Sequence, residues 1–480
     1  MDLPDVSDFL ELLEQIDTHP VREVRDLFDV SADLFVTRAP GRLDLMGGIA
    51  DYSGSLVLQL PIAEGTLAAL QRDPLRQITI VSLATDSRRE IAFEMSIDEF
   101  ERDGEPISYA EARKLFLANP GTHWASYVAG VFVVLMRERG IRFTEGARIL
   151  LSSNVPEGKG VSSSAAIEVV TMAALVAAFD LEISARDIAL LCQKVENEVV
   201  GAPCGVMDQM TAAAGQADEL LALLCQPAEL NGTIALPPDL AVWGIDSGMR
   251  HYVGGGDYGS VRTGAFMGYR IIADIAGLQV RRGESSLSIE DERWGGYLAN
   301  VTPGEFETSF AQRLPERLTG GEFIERYGGI TDTVTTIQPD RVYAVLKPTA
   351  HPIYEHFRVR TFAELLNSRS SLRRNETLGE LMYQSHASYS ACGLASAGTD
   401  LLVNLVRELG PSNGLFGAKI TGGGSGGTVA VLGARSAETS VRRVVQKYHE
   451  AMNWRPYVFA GSSPGSAIFG YLKLERRPIQ

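Results

Sequence analysis

The chain reads as mixed strands and helices arranged in two domains, and three observations carry that expectation. At 480 residues it has ample length for two or three domains, each with its own core. Short apolar strand-like runs crowd the opening, whereas long breaker-free helical runs follow. A Pro-bearing stretch, Leu236-Pro237-Pro238, then places a boundary between residues 1–238 and 239–480.

Taken in order, residues 7–29 carry apolar positions at Phe9, Leu12, Leu13, Ile16, Val24, Leu27 and Phe28. This fits two short amphipathic helices broken near His19-Pro20. Residues 34–48 read as a strand entering the Pro40-Gly41 turn, residues 51–55 as a second turn, and 56–60, 78–81 and 91–93 as further strands. Residues 122–139 fit a helix with Thr122 as N-cap. A strand is expected at 147–151, helices at 165–178 and 185–200, and short strands at 220–224 and 241–245. Beyond the boundary a Gly-rich polar segment, 246–258, leads into a helix at 261–275. Residues 281–350 are polar and irregular, and read as mostly helical with long loops. Longer helices are expected at 351–367 and within 376–410, a strand at 428–432, a helix at 436–452 and a closing strand at 457–459.

Composition narrows the class. Hydrophobic content of 45% and charged content of 22% belong to an ordinary globular protein. A net charge of -16 argues against nucleic acid or an anionic membrane as the main partner. The acidic start Met1-Asp2-Leu3-Pro4-Asp5 lacks the pattern of a signal peptide, and no window reaches ~18 uninterrupted apolar residues. The four cysteines, Cys192, Cys204, Cys225 and Cys392, have no metal-ligand spacing and fit reduced thiols. A cytoplasmic protein, monomeric or a small homo-oligomer, is the expectation.

The stretch Pro156-Glu157-Gly158-Lys159-Gly160-Val161-Ser162-Ser163-Ser164 separates a strand from a helix. A Gly-rich turn emptying into a helix start exposes unpaired N–H groups at the positive end of the helix dipole, an arrangement suited to an anion. Taken alone, the same residues also suit a Ser-rich loop that caps a helix. Two other Gly-rich segments lie far away, at 40–54 and 421–427. None fits a Walker P-loop, where Lys159 would be followed by Ser or Thr rather than Gly160, and none fits a dinucleotide fingerprint.

Together, and in this order, the three segments resemble the GHMP small-molecule kinase family over nearly the whole chain. Within it the likeness is to galactokinases: Arg38-Ala39-Pro40-Gly41-Arg42 resembles their opening signature, and Trp124 to Val131 a segment near the adenine. Glu196 and Pro203-Cys204-Gly205-Val206-Met207-Asp208-Gln209 resemble their magnesium and catalytic segment. The resemblance implies an α+β fold of two domains, ribosomal-S5-like at the N-terminus and ferredoxin-like at the C-terminus, with the active site in the cleft between them. It implies ATP and Mg2+ as cofactors and a small-molecule sugar as partner. Asp208 becomes the expected base and Arg42 the cation beside it, both also touching the sugar. Gly158, Lys159, Gly160, Ser162, Ser163, Ser164, Gly423, Gly424 and Trp124 are the expected nucleotide contacts, with Ser164 and Glu196 as the hard-oxygen magnesium ligands. Asp51, Gly205 and Tyr258 are the expected sugar contacts. Read without the resemblance, Asp208 suits a loop cap, Glu196 a solvated helix residue, Lys159 a solvated loop cation and Tyr258 a packed aromatic. His123 and His251 read as structural histidines.

One departure bears on the acceptor. Galactokinases carry Gly-Glu-His-Thr-Asp-Tyr where this chain has Gly47-Gly48-Ile49-Ala50-Asp51-Tyr52. The glutamate and histidine that meet the far side of galactose, its C6 hydroxyl included, are replaced by Gly48 and Ile49. A C6 hydroxyl buried there without partners would cost ~1–3 kcal/mol. L-Arabinopyranose keeps galactose's ring configuration and lacks the hydroxymethyl group, and residues 47–59 resemble the kinase portion of plant L-arabinokinases. Those proteins carry a further N-terminal glycosyltransferase-like part, for which this length leaves no room. The expectation is therefore an L-arabinose 1-kinase; a galactokinase or other pyranose 1-kinase, and a non-catalytic galactokinase-like sensor, are the alternatives.

Overall fold

The computed structural model describes residues 3–83, 90–249, 258–283 and 287–475. His251 lies outside the described residues. Two sheets organise the chain. The first runs, in spatial order, Leu472–Leu474, Leu34–Met46, Leu56–Asp73, Gly146–Ser153, Gln77–Ser82 and Ala92–Ser96. All neighbours on this path are antiparallel except Gln77–Ser82, which lies parallel to Gly146–Ser153. Glu219–Leu224 pairs with the first half of Leu56–Asp73 and carries Glu229–Ala235 at its other edge. The second sheet is antiparallel, in the order Leu415–Ile420, Thr428–Ala434, Leu240–Asp246 and Val458–Ala460. The chain changes sheets between Ala235 and Leu240, and Leu472–Leu474 returns to the first sheet.

Leu34–Met46 passes through the middle of the molecule and is buried at 12 of its 13 positions. Its pairing with Leu56–Asp73 shifts register between Pro40 and Arg42 and again between Asp44 and Met46. Pro40 has no N–H to donate, so a strand that contains it bulges there. Gly41 makes that bulge useful: a Cβ on it would lie 2.6 Å from the Val161 carbonyl oxygen. Strand and Gly-rich loop can thus approach backbone to backbone, with Arg42 N–H donating to Val161 O at 3.0 Å.

Helix Ser163–Ala178 packs across Leu34–Met46 and Leu56–Asp73. On the other side, helices Leu346–Leu366 and Leu372–Ala391 pack together, and the second lies against Leu415–Ile420. The carboxylate of Glu355 accepts from Gly47 N–H at 3.1 Å and Ser385 Oγ–H at 2.7 Å. His351, at 3.0 Å from Gly48 O and 2.7 Å from Ser388 Oγ, holds the neighbouring residue of the same turn. Burial drives this imidazole to about 4, so it is neutral: Nε2–H donates to Gly48 and Nδ1 accepts from Ser388. The deepest tie between the sheets is Lys419 Nζ to Asp44 Oδ2, 2.6 Å apart with both side chains fully buried.

Three regions depart from expectation. Residues 281–350 are not mainly helical: two small antiparallel strand pairs, Gln279–Arg282 with Leu287–Glu290 and Arg317–Thr319 with Val342–Ala344, join short helical segments. Trp294, Phe306, Phe310, Phe323 and Tyr327 give this part an aromatic core against helix Tyr258–Ile275. Strands of three or four residues are too short to establish a period. Leu415–Ile420 was not expected as a strand; all six residues are buried, so its polarity does not alternate. Helix 185–200 also ends early, at Lys194, and continues as a wider π-type turn over Val195–Val200. Among the described residues no helix is long and apolar enough to cross a membrane.

Candidate active site

Arg42 leaves the bulged strand and grips Asp208, near the start of helix Met207–Ala214, with two parallel bonds: Nε to Oδ1 at 2.9 Å and Nη2 to Oδ2 at 2.8 Å. A fork of this kind fixes both side chains, which a lysine in the same place would not do. The third guanidinium nitrogen donates to Gly160 O at 2.6 Å, so one arginine ties the carboxylate to the Gly-rich loop.

That loop is shaped by left-handed backbone at Gly158, Gly160 and Ser162, with φ of 69°, 71° and 63°. Ser162 is the N-cap of helix Ser163–Ala178, yet its hydroxyl makes no capping bond and has no partner among the described residues. The helix therefore presents open N–H groups toward the cavity. The distant loop at 421–427 lies directly against it: a Cβ on Gly422 would be 2.8 Å from Gly160 O, and one on Gly427 2.6 Å from Lys159 O. Only glycine permits that contact, and Gly422 and Gly427 also have φ of 67° and 81°.

The two loops, Arg42 and Asp208 border a cavity of about 620 Å³ whose wall also includes Asp51, Glu196, Gly205 and Tyr258. Asp51 is 3% exposed; Oδ1 has no partner among the described residues, and a Cβ on Gly205 would lie 1.7 Å from Oδ2. Burial, reinforced by nearby Asp208, raises the Asp51 carboxyl to about 7. Burial and Asp208 likewise raise Glu196 to about 7, while hydrogen bonds from Ser164, Cys204 and Gln209 pull the other way. Gln209 Nε2 bridges Glu196 at 2.6 Å and the fully buried Glu168 at 3.1 Å. Burial and the Glu196 charge push Glu168 well up. Tyr258, the first residue of its helix, stands edge-on to Tyr52 with ring centres 5.6 Å apart.

Four residues expected at the ligands lie off this wall. Gly48 and Ile49 sit behind it, Ile49 fully buried among Val261, Tyr389, Leu394 and Ile420. Lys159 turns away to Asp246, at 2.8 Å, and lies 5.3 Å from the Trp454 ring centre. Trp124 occupies the short turn His123–Ala125 and packs on the first-sheet core. Opposite sign compensation explains Lys159: a buried Asp246 draws the nearest cation. Sequence reasoning in turn missed Ser260, Thr263, Thr335, Thr336 and Gln338, all on the cavity wall. Nothing in the polar run 331–343 announces this; only the folded pairing of Val342–Ala344 with Arg317–Thr319 brings it there.

The chain matches the GHMP kinases N terminal domain over residues 126–216, the galactokinase galactose-binding signature over 25–72 and the GHMP kinases C terminal domain over 362–451. It is 48% identical to an L-arabinokinase of Arabidopsis thaliana over 94% of this chain and 48% of that protein. The chain thus spans about half the length of that relative. A galactokinase of Actinobacillus succinogenes is 29% identical over 90% of this chain and 94% of its own. The fold is similar to a crystal structure of Lactococcus lactis galactokinase complexed with galactose, with a TM-score of 0.71, 20% identity, and coverage of 97% of this chain and all of that one.

Proposed function

The chain belongs to the GHMP kinase family, within its galactokinase-like branch, and from that premise we propose that it is an ATP-dependent sugar 1-kinase converting L-arabinose to L-arabinose 1-phosphate and ADP. The observation that carries the chemistry is the Arg42–Asp208 fork, tied to Gly160 and open to the same cavity as Asp51. In this reading the N–H groups of the 158–164 loop and the backbone of Gly423 and Gly424 hold the triphosphate. Asp208 takes the proton of the anomeric hydroxyl, and Arg42 keeps that carboxylate aimed and offsets charge at the transferring group. Asp51, with its unpartnered oxygen, accepts from a ring hydroxyl; Gly205 and Tyr258 complete the sugar contacts.

Magnesium fits the oxygens present. Ser164 and Glu196 share the wall and a hydrogen bond, and would hold the ion through two hard donors. Among the described residues no group of three or more Asp, Glu, His or Cys side chains is placed to cage a metal, so phosphate oxygens and water would supply the rest. When bound, the ion would neutralise phosphate charge.

Support for L-arabinose comes from Gly48 and Ile49 and from the Arabidopsis relative. Both positions lie behind the cavity wall, so their influence is through packing: neither apolar Ile49 nor side-chain-less Gly48 brings a polar side chain of its own toward a hydroxymethyl substituent. A galactokinase with a rebuilt pocket remains the second reading, on the strength of the galactose-binding signature. A sensor without turnover is the third. An ADP-release assay with L-arabinose, ATP and magnesium, using Asp208→Asn as control, tests the kinase reading; equal and negligible turnover in both proteins contradicts it. A cytoplasmic location and a monomeric or small homo-oligomeric state complete the proposal.

A further inference from the structure

Residues 331–343 sit in the part of the chain with the least regular sequence, yet they reach the cavity. Their position is fixed by a buried clasp. Arg262, on helix Tyr258–Ile275, donates from Nε and Nη2 to the two oxygens of Asp332 at 2.9 and 2.8 Å, with side chains 7% and 3% exposed. Asp332 also accepts from Val334 N–H, Thr335 N–H and the Thr335 hydroxyl, at 3.3, 3.2 and 2.7 Å. One carboxylate therefore folds the turn and anchors it. Further along, Ile337 is buried in the aromatic core and Gln338 N–H donates to the hydroxyl of buried Tyr343 at 2.9 Å. The segment is a built wall, held before any ligand arrives.

We propose that this wall is a sugar-binding element, with the Thr336 hydroxyl and the Gln338 side-chain amide hydrogen-bonding hydroxyls of the acceptor. Three observations direct the assignment to the acceptor rather than to the nucleotide. Arg262 continues from the clasp to Cys204 O at 2.9 Å, four residues before Asp208 and next to Gly205. Its guanidinium also lies 5.4 Å from the ring centre of Tyr52, the neighbour of Asp51, and Tyr52 meets Tyr258. The clasp is thus mounted on the Asp51 side of the site. Thr336 and Gln338 are exposed wall residues whose side-chain polar atoms are engaged by no other described group. Neutral donor–acceptor groups suit a polyol, whereas a phosphate calls for cations or clustered N–H groups. The assignment rests on the sugar-kinase reading above and deepens it.

The variant Thr336→Val/Gln338→Ala changes only exposed wall groups, so its melting temperature should match the wild type. The expected result is a tenfold or greater rise in KM for L-arabinose, with KM for ATP within twofold and kcat changed less than KM. Calorimetric titration of the sugar, with a non-hydrolysable ATP analogue present, should show the same tenfold loss. Unchanged sugar affinity, or a loss confined to ATP or its analogue, overturns the assignment. Because binding is measured apart from turnover, a wild type that binds sugar without phosphorylating it contradicts the kinase reading, while the calorimetric comparison still decides the role of the wall.

Discussion

The hydroxyl of Tyr389 stands where a side chain on residue 48 would begin: a Cβ on Gly48 would lie 2.0 Å from it and 2.3 Å from Asp44 Oδ2. Neither neighbour is free to withdraw. Tyr389 is fully buried and donates to Gly422 O at 2.9 Å, on the third glycine loop. Asp44 is held by Lys419 at 2.6 Å and Gln59 at 2.8 Å. The place a galactokinase gives to glutamate is therefore filled from a helix more than three hundred residues along the chain, and a glutamate side chain cannot be accommodated there by changing residue 48 alone.

Gly48→Ala should accordingly destabilise the protein by about 1–3 kcal/mol, the usual cost of overpacking. Tyr389→Phe removes the nearer of the two obstructing atoms and should recover part of that loss, giving coupling of about 1 kcal/mol in a double-mutant cycle of denaturant unfolding. Strictly additive effects would contradict the contact.

Asp208→Asn should keep the fold and lower kcat by about 10²–10⁴, the range for a lost acid–base group. Arg42→Lys keeps the charge but loses the fork, and should also depress kcat with little change in KM for ATP. Steady-state kinetics beside melting curves separates these effects from unfolding.

Asp51 should trade stability against function with a defined pH dependence. Its folded carboxyl holds a proton up to about 7, above the ordinary 3.8, because burial and Asp208 penalise the charge. The folded state therefore gains from this proton at acid pH, and that contribution is lost as pH rises through about 7. Asp51→Asn removes the penalty, so in the ligand-free protein it should stabilise more at pH 8 than at pH 5, by up to about 3 kcal/mol. The same change should lower kcat/KM for the sugar by at least about a hundredfold, since a carboxylate acceptor is lost. Equal stability increments at both pH values would refute the burial argument.

Lys419 and Asp44 join the two sheets inside the protein. Lys419→Met leaves a buried carboxylate unpaired and should cost about 3–5 kcal/mol, whereas Lys419→Met with Asp44→Asn should recover most of it. Urea unfolding of the three proteins measures the difference.

The three Gly-rich segments were legible in the sequence because glycine runs and helix starts are local signals, whereas Arg42, Asp51, Glu196 and Asp208 were singled out only through the resemblance to galactokinases. Mixed strands and helices were legible from short apolar runs and breaker-free stretches, which are local signals too. What could not be read depends on distant contacts. Ile49 looked like a pocket residue, yet its positive φ of 51° turns it into an apolar cluster completed by Tyr389, Leu394 and Ile420. Lys159 reads as a phosphate cation, yet its ammonium is held 2.8 Å from Asp246, a partner remote in sequence. Leu415–Ile420 hides because a fully buried strand has no alternation, and residues 331–343 hide because their order comes from one clasp rather than from periodicity.

The central claim is tested most directly by the ratio of kcat/KM for L-arabinose to that for D-galactose, measured on the purified protein with saturating ATP and magnesium. The account predicts a ratio well above one, about tenfold or more, as expected where a pocket lacks partners for the added hydroxymethyl group. A ratio below one would contradict it.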